Sequence, residues 1–266
     1  MAPWILQHLP PHQCYVEPFC GSAAVLFAKR PSTVEVLNDT DRFILCLFRA
    51  IRGHHQEMQD LLHTWPKSRV LFWRWRDELN VMAANGGCPD ESVEVAAKWF
   101  YTHWNSFGGK GQVYGTSSVR TNRSSCVHTT DQLGMFADRL QYTDLECGDF
   151  AEVIKRYDSL ETAMLCDPPY LDTDGDGYAG QSFTEADHRR LADTLRLVRG
   201  KVVLCGFADP RVDALYPGWR TVTRRRYVDI TNVSVESGGS RMVVTECLWM
   251  NGDWATQPTL LDAPCQ

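Results

Sequence analysis

Two hydrophobic periods alternate along this chain. Short apolar runs occur at 14–17, 34–37, 163–166 and 201–206, each closed by glycine, proline or a polar residue. Runs of that length, bounded by breakers, predict buried strands. Elsewhere apolar residues recur three and four apart, the spacing of a helix face. Helices are predicted at about 23–29, 41–52, 70–82, 93–104, 151–157, 184–198 and 210–216. A further strand signal at 144–149 ends in an acid. The alternation of strand and helix stops between 43 and 142, where three helical stretches follow one another. Two long β-rich runs, 219–230 and 242–251, predict a closing antiparallel pair with a Gly-Gly loop between them. Strand–helix alternation predicts the α/β class. Its first unit, strand then glycine turn then helix, is how a Rossmann-like fold opens.

The predicted strands end in polar chemistry, where ligands of open α/β sheets bind. The first runs into Pro18-Phe19-Cys20-Gly21-Ser22. Gly21 lets the backbone approach a ligand closely, and the helix start beyond it favours polar or anionic groups. The second ends in Asn38-Asp39, 18 residues after Gly21. An acid there suits a ribose hydroxyl. It could equally cap the next helix, but Asp41 can do that instead. No full Gly-x-Gly-x-x-Gly is present, which disfavours a dinucleotide and leaves an adenosine-bearing ligand without a pyrophosphate. Asp149 and Phe150 close the third strand signal. Asp149 can accept from an adenine amino group beside the Phe150 ring, or cap the helix that follows.

The fourth strand runs into Asp167-Pro168-Pro169-Tyr170. Each proline forces the residue before it out of helical geometry, so the corner is stiff and extended. It brings together a carboxylate, a backbone carbonyl and an aromatic face. Two acceptors beside a flat ring suit a planar heterocycle carrying an amino group. A surface turn is the alternative, since Asp-Pro is common in turns. Thr184 and Asp187 predict a capping box for the helix that holds His188, which is read as structural.

Composition narrows the class. The 266 residues are 44% hydrophobic and 23% charged, enough for one large core or a domain with an insertion. No stretch has the apolar length of a membrane span. The start lacks a signal peptide's basic and apolar regions, so a cytoplasmic protein is expected. Ten cysteines without a Cys-x-x-Cys pair are read as reduced thiols, and eight histidines without ligand-like spacing argue against a metal site. A net charge of −6 excludes coating nucleic acid by bulk charge but allows a local basic groove. Lys110 in a glycine-rich loop, with Arg120, Asn122 and Arg123 in the polar stretch 116–130, is the candidate for such contacts. Arg224-Arg225-Arg226 adds charge to the closing strands. The tryptophans and phenylalanines between 65 and 104 are read as helix-packing core.

The ordered set Glu17-Pro18-Phe19-Cys20-Gly21-Ser22, Asn38-Asp39, Gly148-Asp149-Phe150 and Asp167-Pro168-Pro169-Tyr170 resembles the D12 class of N6-adenine DNA methyltransferases, the Dam-like enzymes of bacteria and their phages. The closing run 241–251 is similar to that family's last strand. The resemblance implies a Rossmann-like seven-stranded mixed sheet with an inserted, mainly helical target-recognition subdomain. It divides the chain into a catalytic domain at 1–42 and 143–254, the insertion at 43–142 and a tail at 255–266. It implies S-adenosylmethionine as cofactor, held by Glu17, Phe19, Gly21, Ser22, Asn38, Asp39, Asp149, Phe150 and Asp167. Asp39 would take the ribose and Asp149 the adenine. Asp167 and the Pro168 carbonyl would grip the target amino group while Tyr170 stacks on the base. Implied partners are double-stranded DNA and a cognate restriction endonuclease, with a monomer working in the cytosol of a bacterium or phage-infected cell. RNA as acceptor, or a truncated relative that binds DNA without catalysis, are the competing readings. Two departures stand out. Ala23 occupies the place of a frequent second glycine, and the chain begins just beyond a Lys- and Gly-bearing segment that helps hold the cofactor's methionine part. The latter predicts either a truncated start or weakened cofactor binding.

Overall fold

Five parallel strands and an antiparallel pair form one sheet in the computed structural model, which describes residues 1–88, 92–115, 130–171, 183–229 and 241–254. The parallel strands are β1 (Cys14–Glu17), β2 (Val34–Asn38), β3 (Thr143–Glu146), β4 (Thr162–Cys166) and β5 (Lys201–Phe207). β6 (Arg220–Asp229) and β7 (Arg241–Met250) pair antiparallel, and β7 also runs antiparallel to β5. The order β3-β2-β1-β4-β5-β7-β6 makes the predicted seven-stranded mixed Rossmann-like sheet.

Alternate residues of each strand feed opposite faces, as the two-residue period requires. Tyr15, Leu37, Leu165 and Val203 enter one apolar cluster; Val16, Val36, Met164 and Val202 enter the other. A parallel sheet must be covered on both sides, and all five residues of β4 are buried accordingly. The first face is covered by α1 (Ala2–Leu6), α2 (Ala24–Ala28), α3 (Arg42–Thr64), α5 (Val93–Trp104) and α6 (Leu133–Leu140), with α4 (Arg69–Ala84) outside them. The second is covered by α7 (Phe150–Tyr157), α8 (Glu185–Leu195) and α9 (Pro210–Leu215).

Several boundaries differ from the sequence pattern. α3 continues twelve residues past 52, through a kink at His54 (φ −141°, ψ 30°), because Met58 and Leu62 keep an apolar stripe on the core. β3 stops at Glu146, and Asp149 begins the next helix instead of ending the strand. The described part of the stretch 43–142, read above as an insertion, shares one core with the sheet: Phe48, Val95 and Leu133 lie in the same cluster as Tyr15 and Leu165. Its aromatic residues pack as expected, with Trp65 at 4.3 Å and Tyr101 at 4.7 Å from Trp75 between ring centroids. A buried charge cluster ties α6 to β2. Arg139 reaches Glu35, which also accepts from Lys29, and the Glu35 and Lys29 side chains are 3% and 4% exposed.

Candidate active site

The sheet reverses its strand order between β1 and β4, and the crevice of an open α/β sheet forms at that point. The Asp167 corner emerges there, directly beyond the carboxyl end of β4. Asp167 is solvent-accessible, yet protein surrounds it closely, as for a group on the floor of a cleft. That desolvation pushes its carboxyl up to about 6; the Tyr170 hydroxyl opposes the shift and the Glu246 carboxylate adds to it. The Tyr170 ring meets Phe207 edge-on at 4.7 Å. His188 on α8 is buried beside the corner; burial lowers its imidazole, the Pro169 backbone opposes that shift, and its Nε2 has no partner among the described residues. A small recess beneath the corner is lined by Pro168, Tyr170, His188, Cys205 and Phe207.

The glycine turn faces this corner from the end of β1. Gly21 sits at φ +46°, and a Cβ there would meet nothing within 4 Å. Ala23 also has positive φ (51°), which shows why a second glycine is at home in this turn. Asp39 accepts from the Gly21 N–H at 2.9 Å and the Asp41 N–H at 2.9 Å. Asp41 caps α3 through the Phe43 N–H at 2.9 Å, so the cap is Asp41 and Asp39 belongs to the turn. Burial raises the Asp39 carboxyl, while its backbone hydrogen bonds act the other way.

Two expected ligand contacts stand one layer back. Asn38 is fully buried; its amide bonds the Pro18 carbonyl at 2.9 Å and both polar atoms of Gly148, stitching the end of β1 to the end of β3. Glu17 is buried and accepts from Tyr15 Oη at 2.8 Å and Leu26 N at 2.9 Å. Burial lifts its carboxyl to about 8, against the pull of those two hydrogen bonds. Both side chains hold the turn from behind.

Asp149 caps α7 through the Ala151 N–H at 3.0 Å and takes a two-pronged bond from Arg190 at 2.9 and 2.7 Å. These bonds hold its carboxyl below the usual range, the Arg190 bond most strongly. The same guanidinium lies 4.1 Å over the Phe150 ring, whose neighbour Phe19 is 5.2 Å away. Asp149 is therefore a helix cap, and its accessible carboxylate also stands at the mouth of the crevice.

Lys110 is exposed beside the short turn Phe107–Gly109. Arg120, Asn122 and Arg123 lie outside the described residues. A cavity of about 880 Å³ lies not at Asp167 but between α2, α3, α4, α5 and the 108–112 loop, and Gly21, Ser22 and Lys110 line it. Its walls are chiefly apolar, including Phe27, Phe48, Trp99 and Phe136, so the chemistry is assigned to the carboxylates of the crevice, not to the larger space. Among the described residues no three His, Cys, Asp or Glu side chains cluster as a metal site, and no helix is long and apolar enough to cross a membrane.

Sequence reasoning passed over Glu246 and Arg190 and gave His188 no contact with the corner. Glu246 did carry a signal: it is an acid inside the otherwise apolar end of β7, where it is 3% exposed. Arg190 and His188 carried none, because a helix surface does not announce which strand end it will meet.

A family model described as D12 class N6 adenine-specific DNA methyltransferase matches residues 1–212. The chain is 24% identical over 259 residues to the DNA adenine methylase of Salmonella typhi, covering 92% of this chain and 88% of that protein. It is 21% identical over 263 residues to the DNA adenine methylase of Escherichia coli strain K12, with coverage of 92% and 88%. Among solved structures it is similar to the rRNA methyltransferase aviRa from Streptomyces viridochromogenes, at a TM-score of 0.36 and 10% identity over 93% of this chain and 80% of that one.

Proposed function

We propose, for a chain that belongs to the D12 class of N6 adenine-specific DNA methyltransferases, that Asp167, the Pro168 carbonyl and Tyr170 hold an adenine extruded from duplex DNA while its N6 gains a methyl group. Membership itself gives the reaction, methylation of adenine in DNA. The observation that carries the assignment of residues is the Asp167 corner at the switch point, facing an open glycine turn.

The donor in this reading is S-adenosylmethionine, which supplies an electrophilic methyl on a sulfonium. The residues present fit it. The open space at Gly21, the accessible Ser22, the Asp39 carboxylate at the end of β2 and the accessible Asp149 beyond β3 make a donor set for an amino acid, a ribose and an adenine in turn. Phe19 and Phe150 provide the apolar flank beside Asp149, and Glu17 and Asn38 hold the turn in shape.

The N6 lone pair of adenine is conjugated into the ring and is a poor nucleophile. Two acceptors on its N–H groups, Asp167 and the Pro168 carbonyl, favour a tetrahedral nitrogen with its lone pair turned outward. Tyr170 supplies the stacking face and fixes the base plane. Once N6 is methylated its extra proton is acidic, and Asp167 takes it without being a strong base. The base must leave the helix, since its N6 is out of reach inside the duplex. The stretch 43–142 and Lys110 serve target recognition in this reading.

Transfer of a labelled methyl group from S-adenosylmethionine to unmethylated plasmid DNA tests the proposal. Wild type labels DNA, and Asp167→Ala keeps the fold but labels nothing. Full labelling by Asp167→Ala, or a preference for RNA as acceptor, sinks it.

A further inference from the structure

β7 runs antiparallel beside β5 and places Glu246 opposite Phe207, the ring on which Tyr170 rests. On its other side Glu246 stands opposite Arg224 of β6, and Arg226 Nε approaches its Oε1 at 3.3 Å. The carboxylate is thus at the same end of the sheet as the Asp167 corner. The Tyr170 hydroxyl acts on both carboxyls, lowering that of Glu246 as it lowers that of Asp167. Glu246 is 3% exposed, and its Oε2 is a buried acceptor without a partner among the described residues. A buried, half-satisfied carboxylate is costly to fold around, which asks for a compensating use.

We infer that Glu246 is a positioning residue of the transfer site: a second carboxylate beside the Tyr170 corner, it shares the phenol with Asp167 and so fixes both the stacking plane and the catalytic carboxylate. The inference rests on the reading of Asp167 and Tyr170 given above. The phenol has a single O–H to give, so a second carboxylate beside it sets how far that proton serves Asp167. The unclaimed Oε2 adds negative charge beside Asp167. The charged and titratable groups around the pair are Tyr170, Arg226, Arg224 and the Met1 amino group near Glu246, with Glu17, Cys166 and Cys205 near Asp167. The arginines and the amino group lower the Glu246 carboxyl, but burial outweighs them and it stands above the ordinary glutamate range. Its charge raises Asp167 in turn.

Two readouts test this. Carboxyl ¹³C NMR of labelled aspartates, with Asp167 assigned by the signal lost in Asp167→Asn, gives the Asp167 midpoint without any need for activity. In Glu246→Gln, which keeps the shape and the acceptor for Tyr170, that midpoint moves to lower pH. In methyl transfer, Glu246→Ala lowers kcat/KM by about 10- to 100-fold, the scale of misplacing a reacting group by up to 1 Å. Glu246→Gln recovers part of the loss, and the acid limb of its pH profile moves down with the NMR midpoint. An Asp167 midpoint unchanged in Glu246→Gln, or wild-type transfer by Glu246→Ala, overturns the inference. A wild type that labels no DNA at all would overturn the parent reading instead, and the NMR midpoint would still decide the role of Glu246.

Discussion

Asp167 is held near about 6 by its surroundings, well above a free aspartate, and that has a kinetic consequence. Only the ionised form can take the proton that N6 sheds, so kcat/KM for methyl transfer falls as pH drops through about 6. A profile measured from pH 5 to 8 shows this limb; activity that stays flat to pH 5 contradicts the role. Glu17 has a consequence for stability. Its folded carboxyl lies at about 8 against 4.5 for the free side chain. The native state therefore binds more protons than the unfolded chain across that window, and the stabilisation is complete below 4.5 and lost as pH rises to about 8. Glu17→Gln keeps acceptors for Tyr15 and Leu26 but cannot ionise, so its stability changes less over the window. Thermal melts of both proteins at pH 5 and 8 read the difference, and parallel curves would refute it. At this scale the acids were legible in sequence, but their partners were not. Nothing around Asp149 foretold that Arg190 would grip it.

Two salt bridges separate elements that must stay together from elements that can loosen. Glu35 on β2 is buried between Lys29 and Arg139, so Glu35→Gln leaves a buried lysine and a half-buried arginine without their carboxylate. A loss of about 3–5 kcal/mol is expected. Arg190 joins α8 to the cap of α7 with both side chains nearly half exposed, and solvent screens the pair. Arg190→Ala should cost under about 1 kcal/mol. Urea unfolding of the two variants gives the ranking, and a reversed order would discard the argument. The elements were largely visible beforehand, since β4 and the capping box Thr184–Asp187 appear where the apolar run and the Thr-x-x-Asp spacing put them. Their lengths were less so. α3 runs on past its kink because tertiary burial of Met58 and Leu62, not local spacing alone, decides where a helix stops.

Over the whole molecule, acidic residues outnumber basic ones by 33 to 27, so DNA is met through a local surface and not by bulk attraction. Each phosphate neutralised adds about 0.9 to the slope of log affinity against log salt. Lys110→Ala should lower that slope by about 1 and weaken binding alike on all sequences. Fluorescence titration of a short duplex at several salt concentrations measures it, and an unchanged slope removes Lys110 from the contact surface.

Sequence alone determined which acids and breakers stand at the strand ends. Breakers, acids and short apolar runs are local signals, and proline and glycine act on the backbone wherever they stand. The order of the sheet's strands, the two-sided core that absorbs the inserted helices, and the meeting of Glu246 with the Tyr170 corner were decided only by the tertiary structure. Those depend on which residues distant in the chain are buried together, and hydrophobic burial rewards area removed from water without naming the partner.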